Sequence, residues 1–258
     1  MRKTILLALG LALLCGGAAA ARAQTPAAGG APALARSRQL LLVTTPGWDD
    51  VRGTLRRFER RGARGRWSQV GAEFPVVVGR SGLGWGVGLF DAGGSAGPFK
   101  REGDGRAPAG VFRLGPAFGF DGSDEAGWVR LPYRPLALAT ECVDDAASRY
   151  YNRIVERGRA GAVDWNSSER MRSVEGYRWG LVVAHNAAPP VAGRGSCIFL
   201  HIWAGPGKGT AGCTAMERGN LEALLRWLDA RSGPLLVQLP EAEYARLRSA
   251  WRLPQTAR

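Results

Sequence analysis

Only two histidines occur in the 258-residue chain, and one of them, His201, lies twelve positions before Cys213. Between them run Gly205, Pro206, Gly207, Gly209 and Gly212, a composition that forces a tight return of the backbone. An unperturbed thiol, with a pKa of about 8.5, is only a few per cent ionised at neutral pH, so a cysteine nucleophile needs a base within reach. Imidazole is the side chain whose ordinary titration suits that task. A strand delivering His201 and a glycine-rich loop delivering Cys213 would bring the two within hydrogen-bond distance. Backbone N–H groups around Ala211 and Gly212 would then face a developing oxyanion. Two other readings stand beside this one. His185, Cys197, His201 and Cys213 supply the donor types of structural zinc, without the close cysteine pair usual in such sites. A hydrogen-bonded histidine in a turn, with an inert buried cysteine after it, is the third. Residue types alone leave the choice open.

What a cysteine does depends on its compartment. The chain starts with Arg2-Lys3, continues with an apolar run from Ile5 to Leu14, and reaches small residues ending Ala21-Arg22-Ala23. This is the layout of a signal peptide over residues 1–23, with cleavage after Ala23 and export to the periplasm or cell envelope. The apolar run is shorter than the about 20 residues of a bilayer span, which argues against the alternative of a retained anchor. Leu14 before Cys15 is a poor fit to a lipoprotein signal. Cleavage would leave 235 residues and lower the formal charge from +13 to +10 by removing Arg2, Lys3 and Arg22. An exported basic chain is expected to meet a polyanionic envelope or its acidic peptides and not nucleic acid. No integral membrane segment is expected after cleavage, and the oligomeric state is not legible.

Three cysteines then remain, an odd number that leaves one thiol over in an oxidising compartment. Cys213 sits among glycines ahead of an expected helix, whose N-terminal partial charge would favour a thiolate. Cys142 has no basic partner nearby in sequence, Cys197 starts a buried strand, and the two are left to pair. A bridge between them would brace the strand that carries His201, and two separate buried thiols are the alternative.

The elements that must position these groups read as mainly β. Residues 24–37, rich in Ala, Gly and Pro, are expected to be a disordered lead-in. Gln39 to Val43 reads as a strand, whereas Trp48, Val51, Leu55 and Phe58 recur at helical spacing and predict a short amphipathic helix. Strand-like pattern broken by glycine clusters runs from Trp67 to about Phe120, and "GRSGLGWGVG" within it lacks the ending of a phosphate loop. "GLVVAH" and "CIFLHIW" predict buried strands. Leu221, Leu224, Leu225 and Leu228 predict a helix after Cys213, "PLLVQL" a late strand, and Tyr244, Leu247 and Trp251 a helix within a C-terminal segment, 241–258. No internal repeat and no second-domain boundary are visible, so residues 38–240 are expected to be one β-rich domain.

"FLHIWAGPGKGTAGCTAM" resembles the signature of the YkuD-type L,D-transpeptidases, with Thr210, Gly212, Cys213 and the upstream His201 matching. "KREGDGRAPAGVFRL" is similar to the family's Thr-Pro-x-Gly-x-Phe segment through Pro108, Gly110 and Phe112, with Ala107 in the threonine place. The continuation Ala-Gly-Cys-Thr-Ala-Met resembles a proteobacterial branch. Two departures stand out: Ala211 replaces the motif's usual second histidine, and Ala215 the arginine often found two residues after the nucleophile. The resemblance implies a YkuD-like β-sandwich with the cysteine on a loop before a helix. It also implies an enzyme that acts on peptidoglycan stem peptides without metal or cofactor, through a Cys213 thioester. His201 would serve as general base and acid, and Ala211 and Gly212 as oxyanion donors. The outcomes open to it are cross-linking, exchange of a terminal D-amino acid, or trimming. A non-catalytic wall-binding module and a general cysteine peptidase are the alternatives. Trp203, Thr210, Asn186, Tyr151 and Lys100 are the candidates for substrate contact, and His185 is read as structural.

Overall fold

The computed structural model describes residues 30–62, 65–90 and 96–256. The expected signal peptide, Cys15 and residues 24–29 of the expected lead-in lie outside them.

The most apolar run of the chain forms β1 (Gln39–Thr45), every residue of which is buried. Being buried on both faces, it takes a strand on each edge. It runs parallel to β14 (Leu235–Pro240) with Leu40 opposite Leu235, and antiparallel to β2 (Arg52–Glu59) with Val43 opposite Leu55. The helix expected around Leu55 and Phe58 is therefore a strand. Its three-residue spacing of buried apolar groups mimics a helical period, but here Leu55 and Phe58 point to opposite faces of a sheet covered on both.

From β14 the pairing continues to the long β6 (Ala107–Gly119), then β11 (Trp179–Val183), β12 (Phe199–Ile202) and β13 (Thr214–Met216). It proceeds to β4 (Phe74–Val77) and returns to β2, with β3 (Ser68–Gln69) beyond. Since β2 also bonds β1, the path joins end to end. β5 (Leu83–Trp85) and β7 (Tyr133–Pro135) add to β6. A separate three-stranded sheet of β8 (Thr140–Val143), β9 (Arg153–Glu156) and β10 (Ser168–Arg170) is laid over one face. Its Cys142 and Ile154 pack there with Phe118, Phe199 and Cys213.

Three α-helices are present among the described residues. α2 (Arg218–Trp227) buries Leu221, Leu224 and Leu225, side chains worth about 1.5–3 kcal/mol each when fully buried. α3 (Glu241–Leu247) and the turn after it insert Tyr244, Leu247 and Trp251 into the main core, so this segment belongs to the same domain. α1 (Gly30–Arg36) overturns the second half of the expected disordered lead-in. Ala33 and Leu34 are buried, and the Arg60 guanidinium caps the carbonyls of Leu34, Ala35 and Ser37. The chain is a single, mainly β domain.

Candidate functional site

β12 carries His201, and the residue just ahead of β13 is Cys213. The two strands are parallel, with Leu200 opposite Thr214 and His201 opposite Ala215. Side chains alternate along a strand, and residues in register share a face. Leu200 and Thr214 turn to the main core, where Thr214 Oγ1 donates to Gln238 Oε1 at 2.7 Å. Phe199, His201, Ala215 and Cys213 turn to the other face, where Phe199 and Cys213 lie beneath the three-stranded sheet. The thiol and the imidazole thus share a sheet face on adjacent strands, two residues apart along the strand direction.

Cys213 is 7% exposed. The Phe199 N–H points at its Sγ from 3.3 Å, and the Cys197 carbonyl accepts from the thiol at 3.5 Å. His201 stays partly open to solvent. Its Nδ1 lies 2.8 Å from the Ile202 carbonyl, and because a carbonyl only accepts, Nδ1 carries the proton. Nε2, with no partner among the described residues, keeps its lone pair. Burial lowers His201 from its ordinary pKa, against the pull of the Ile202 carbonyl. Burial also pushes the Cys213 thiol up to about 12, helped by the Glu169 carboxylate and opposed by the Phe199 N–H and the Tyr177 hydroxyl. At neutral pH the resting pair is a thiol and a neutral imidazole.

The expected thiolate at a helix start is not what the fold builds. Thr214–Met216 bond both β12 and β4, so Cys213 feeds a strand and not a helix. α2 begins only at Arg218, where the Glu217 side chain caps it by accepting from the Asn220 N–H. The loop before Cys213 is closed by Thr210, whose Oγ1 donates to the Cys213 carbonyl at 2.6 Å and accepts from the Gly212 N–H at 3.1 Å. Of the two expected oxyanion donors, the Gly212 N–H is therefore engaged, and Ala211 is exposed. Gly209 is needed for close approach: a Cβ there would stand 2.6 Å from the Arg80 Cα.

The remaining candidates divide. Trp203 is half-buried beside the site, its N–H bonded to the Met216 carbonyl at 2.8 Å. Asn186 is spent on the loop after it, donating to the Val191 and Gly195 carbonyls at 2.9 and 3.0 Å. Tyr151 is buried with its hydroxyl on Glu102. Lys100 is buried and paired with Asp104 at 2.7 Å, its alkyl chain passing close to Gly212. Asn186 and Tyr151 thus belong to the scaffold, and Lys100 supports the loop from behind.

His185 is saturated: the Val87 N–H donates to Nδ1 at 3.2 Å, and Nε2 lies 2.9 Å from the Arg194 carbonyl. Cys142 and Cys197 form a disulfide with Cα atoms 6.0 Å apart, which withdraws Cys197 from any zinc set. Among the described residues no group of three His, Cys, Asp or Glu side chains is placed to hold a metal. Nor is any helix among them long and apolar enough to cross a membrane.

A cavity of about 330 Å³ adjoins this face, lined by Phe118, Ile154, Val182, Phe199 and the disulfide. A larger hollow, about 690 Å³, lies elsewhere among Arg38, Arg60, Arg61, Arg130 and Arg231. There the Arg38 and Arg60 guanidinium groups are bonded to backbone carbonyls and Arg231 to Asp229. Two residues missed by the sequence reading stand at the site itself. Tyr177 packs edge-on to His201 with ring centroids 5.2 Å apart, and its hydroxyl donates to Glu169 at 2.8 Å. "SSERMRSVEGYRWG" offers no spacing that pairs them with Cys213; only the tertiary fold does.

Fold and site define a β-rich single-domain protein that sets a lone thiol and a half-free imidazole on one sheet face, without the direct hydrogen bond expected between them. A family model described as the L,D-transpeptidase catalytic domain, YkuD, matches residues 60–237, and the chain belongs to that family. Its members are cysteine L,D-transpeptidases that act on peptidoglycan. No curated protein and no solved structure matches the chain.

Proposed function

We propose that the protein is an exported L,D-transpeptidase that acylates itself at Cys213 with a peptidoglycan stem peptide. The observation that carries this is the shared sheet face of Cys213 and His201, with Nδ1 of the imidazole fixed by the Ile202 carbonyl and Nε2 left to take a proton. The resting pair is uncharged, so the proton leaves sulfur as the carbon–sulfur bond forms and not before. In the first step Sγ attacks the carbonyl of an L-centred residue and its proton passes to Nε2. Main-chain N–H groups of Ala211 and Cys213 are the nearest candidates for the tetrahedral oxyanion, with Gly212 joining if Thr210 releases it; such donors are worth about 3–4 kcal/mol each in comparable sites. The carbon–nitrogen bond then breaks, and the departing D-amino acid takes the proton from the imidazolium. The thioester is resolved by an amine of a second stem, which gives its proton to His201 while the carbon–sulfur bond breaks. Water in that role makes the reaction a trimming one.

Trp203, half-buried two residues past His201, is the candidate for contact with the stem, and a signal peptide over residues 1–23 would deliver the chain to the periplasm where stems are found. Intact-mass spectrometry after incubation with a tetrapeptide stem tests the reading. The expected product is an adduct of the stem minus its terminal D-amino acid on the Cys213 peptide, absent in Cys213→Ala. Binding to sacculi without an adduct would favour a wall-binding module, and cleavage of unrelated proteins a general peptidase.

A further inference from the structure

Tyr177 lies on the turn Glu175–Arg178 that leads into β11, and it is 3% exposed. Its ring stands edge-on to three neighbours: His201 at 5.2 Å, Phe199 at 5.4 Å and Phe118 at 5.6 Å. Its hydroxyl donates to Glu169 Oε2 at 2.8 Å, and the residue packs in one buried cluster with Cys213. Glu169 comes from β10, in register with the disulfide residue Cys142 on β8. The turn is pressed onto the histidine as well: a Cβ at Gly176 would stand 2.6 Å from the Ile202 carbonyl and 3.2 Å from His201 Nδ1. One side chain therefore packs against the proposed base, shares a buried cluster with the proposed nucleophile, and is tied behind to a carboxylate on the covering sheet.

We propose that Tyr177, oriented by Glu169, donates its hydroxyl hydrogen bond to the Cys213 sulfur whenever that sulfur carries negative charge, so that the pair governs the reactivity of the nucleophile. Tyr177 is the catalytic residue of the two and Glu169 the positioning one. The proposal rests on the reading of Cys213 as the nucleophile. In the resting enzyme the phenol is bonded to the Glu169 carboxylate. As the proton leaves the thiol, the phenol O–H has two anionic acceptors in reach, and its turn toward sulfur stabilises the thiolate. Glu169 opposes that ionisation by its own charge and by competing for the hydroxyl. Burial holds the Glu169 carboxyl above its ordinary range with Asp144 adding to it, and Lys100 eases ionisation of Cys213; these are the other charged groups felt here.

The two partners must then act with opposite sign, which packing alone would not produce. The test follows alkylation of the full chain by iodoacetamide from pH 6 to 11 on the Cys213 peptide, with thermal melts of each variant. Tyr177→Phe keeps the ring and is expected to slow alkylation about tenfold across the series, which lies below the titration of the thiol, the weight of one hydrogen bond to an ionised group. Glu169→Gln keeps an oxygen for the phenol and removes the charge, and alkylation is expected to become faster. Superimposable profiles for wild type and Tyr177→Phe, or equal slowing by both changes, overturn the proposal. If Tyr177→Phe melts too low to assay, the sign of the Glu169→Gln effect decides alone. Alkylation that follows the expected pattern while stem peptides leave no adduct would instead sink the transpeptidase reading and leave the pair standing.

Discussion

His185 is 1% exposed, and the structure uses both of its ring nitrogens, one accepting from the Val87 N–H and the other facing the Arg194 carbonyl. His201, sixteen residues further on, has one nitrogen bonded to a carbonyl and one without a partner among the described residues, and the residue is only half-buried. Both are surrounded by protein that lowers their pKa, for His185 to about 4. The direction of the pKa shift therefore does not separate them. The free nitrogen does, because a base needs an unoccupied lone pair, and a ring bonded at both ends is a strut. His185 clamps the residues around Val87 to those around Arg194, whereas His201 is held by one bond at the angle its strand dictates.

The sharpest way to break this contrast is to remove each ring in turn. His201→Ala is expected to slow formation of the Cys213 acyl adduct by about 10²–10⁴-fold, the usual weight of a positioned general base, with little change in melting temperature. His185→Ala is expected to do the reverse. It opens a cavity against Phe112 and leaves the Val87 N–H and Arg194 carbonyl without partners, a loss of about 2–4 kcal/mol, while the folded fraction still acylates. Acylation rates beside thermal melts check both, and equal loss of rate in the two variants would erase the distinction.

How much of this contrast was legible in the sequence can be judged residue by residue. The strands β1, β11, β12 and β14 announce themselves as apolar runs too short for helices, and α2 by its leucine spacing. So His201 on a strand and Cys213 past a glycine loop were readable. β13 was not, since Thr214-Ala215-Met216 has no period of its own and is a strand only because β12 and β4 flank it. That omission produced the mistaken helix start at Cys213. β2 was misread because its two buried residues, Leu55 and Phe58, sit on opposite faces of the strand and so are spaced as on a helix. The saturation of His185 was invisible for another reason: its partners, Val87 and Arg194, are main-chain groups, and any sequence supplies those.

The second prediction tests the brace beneath His201. Cys197 lies four residues before His201 on the segment entering β12, and the bridge closes a loop with a sequence separation of 55. Chain-entropy reasoning assigns such a loop about 4 kcal/mol, so reduction should lower the melting temperature markedly. The Cys213 thiol is not part of the bridge and should count as one titratable thiol before reduction of the folded domain and three after. Loss of stability alone, with acylation surviving below the new melting point, places the bridge with His185 as scaffold. Loss of acylation in still-folded protein would place it with His201.

Acid separates the rings once more, by a smaller amount. His185 has a folded pKa of about 4, against about 6.5 for a free histidine. Between those values the unfolded chain binds the extra proton and the folded chain does not, so stability falls as pH drops through that window and is fully present above it. Taken at face value the loss reaches about 3 kcal/mol by pH 4, of which His185→Gln should remove most. His201 is depressed in the same direction, yet its protonation should appear first as loss of acylation, because Nε2 is then occupied. Melting temperature and acylation rate measured over the same pH series should thus fall on separate curves. A single curve for both would mean that one histidine controls both properties.

The smallest effect concerns the bond that aims His201. Gly176 leaves the space through which the turn Glu175–Arg178 reaches β12: a Cβ at that position would meet the Ile202 carbonyl at 2.6 Å and His201 Nδ1 at 3.2 Å. A carbonyl of a paired strand yields less readily than a side chain, so Gly176→Ala must move the turn, at a cost of about 1–3 kcal/mol for overpacking. The turn carries Tyr177, and the carbonyl it displaces is the one that holds the Nδ1 proton. The alanine is therefore expected to lower acylation by more than the stability change explains, since it loosens the imidazole without touching Nε2 or Sγ. Nitrogen NMR of the two rings would read this directly: the His201 signals should move toward exchange between tautomers, and those of His185, fixed at both nitrogens, should stay where they are. If both rings kept their tautomer and the rate were unchanged, the Ile202 carbonyl would be no more than a neighbour of His201.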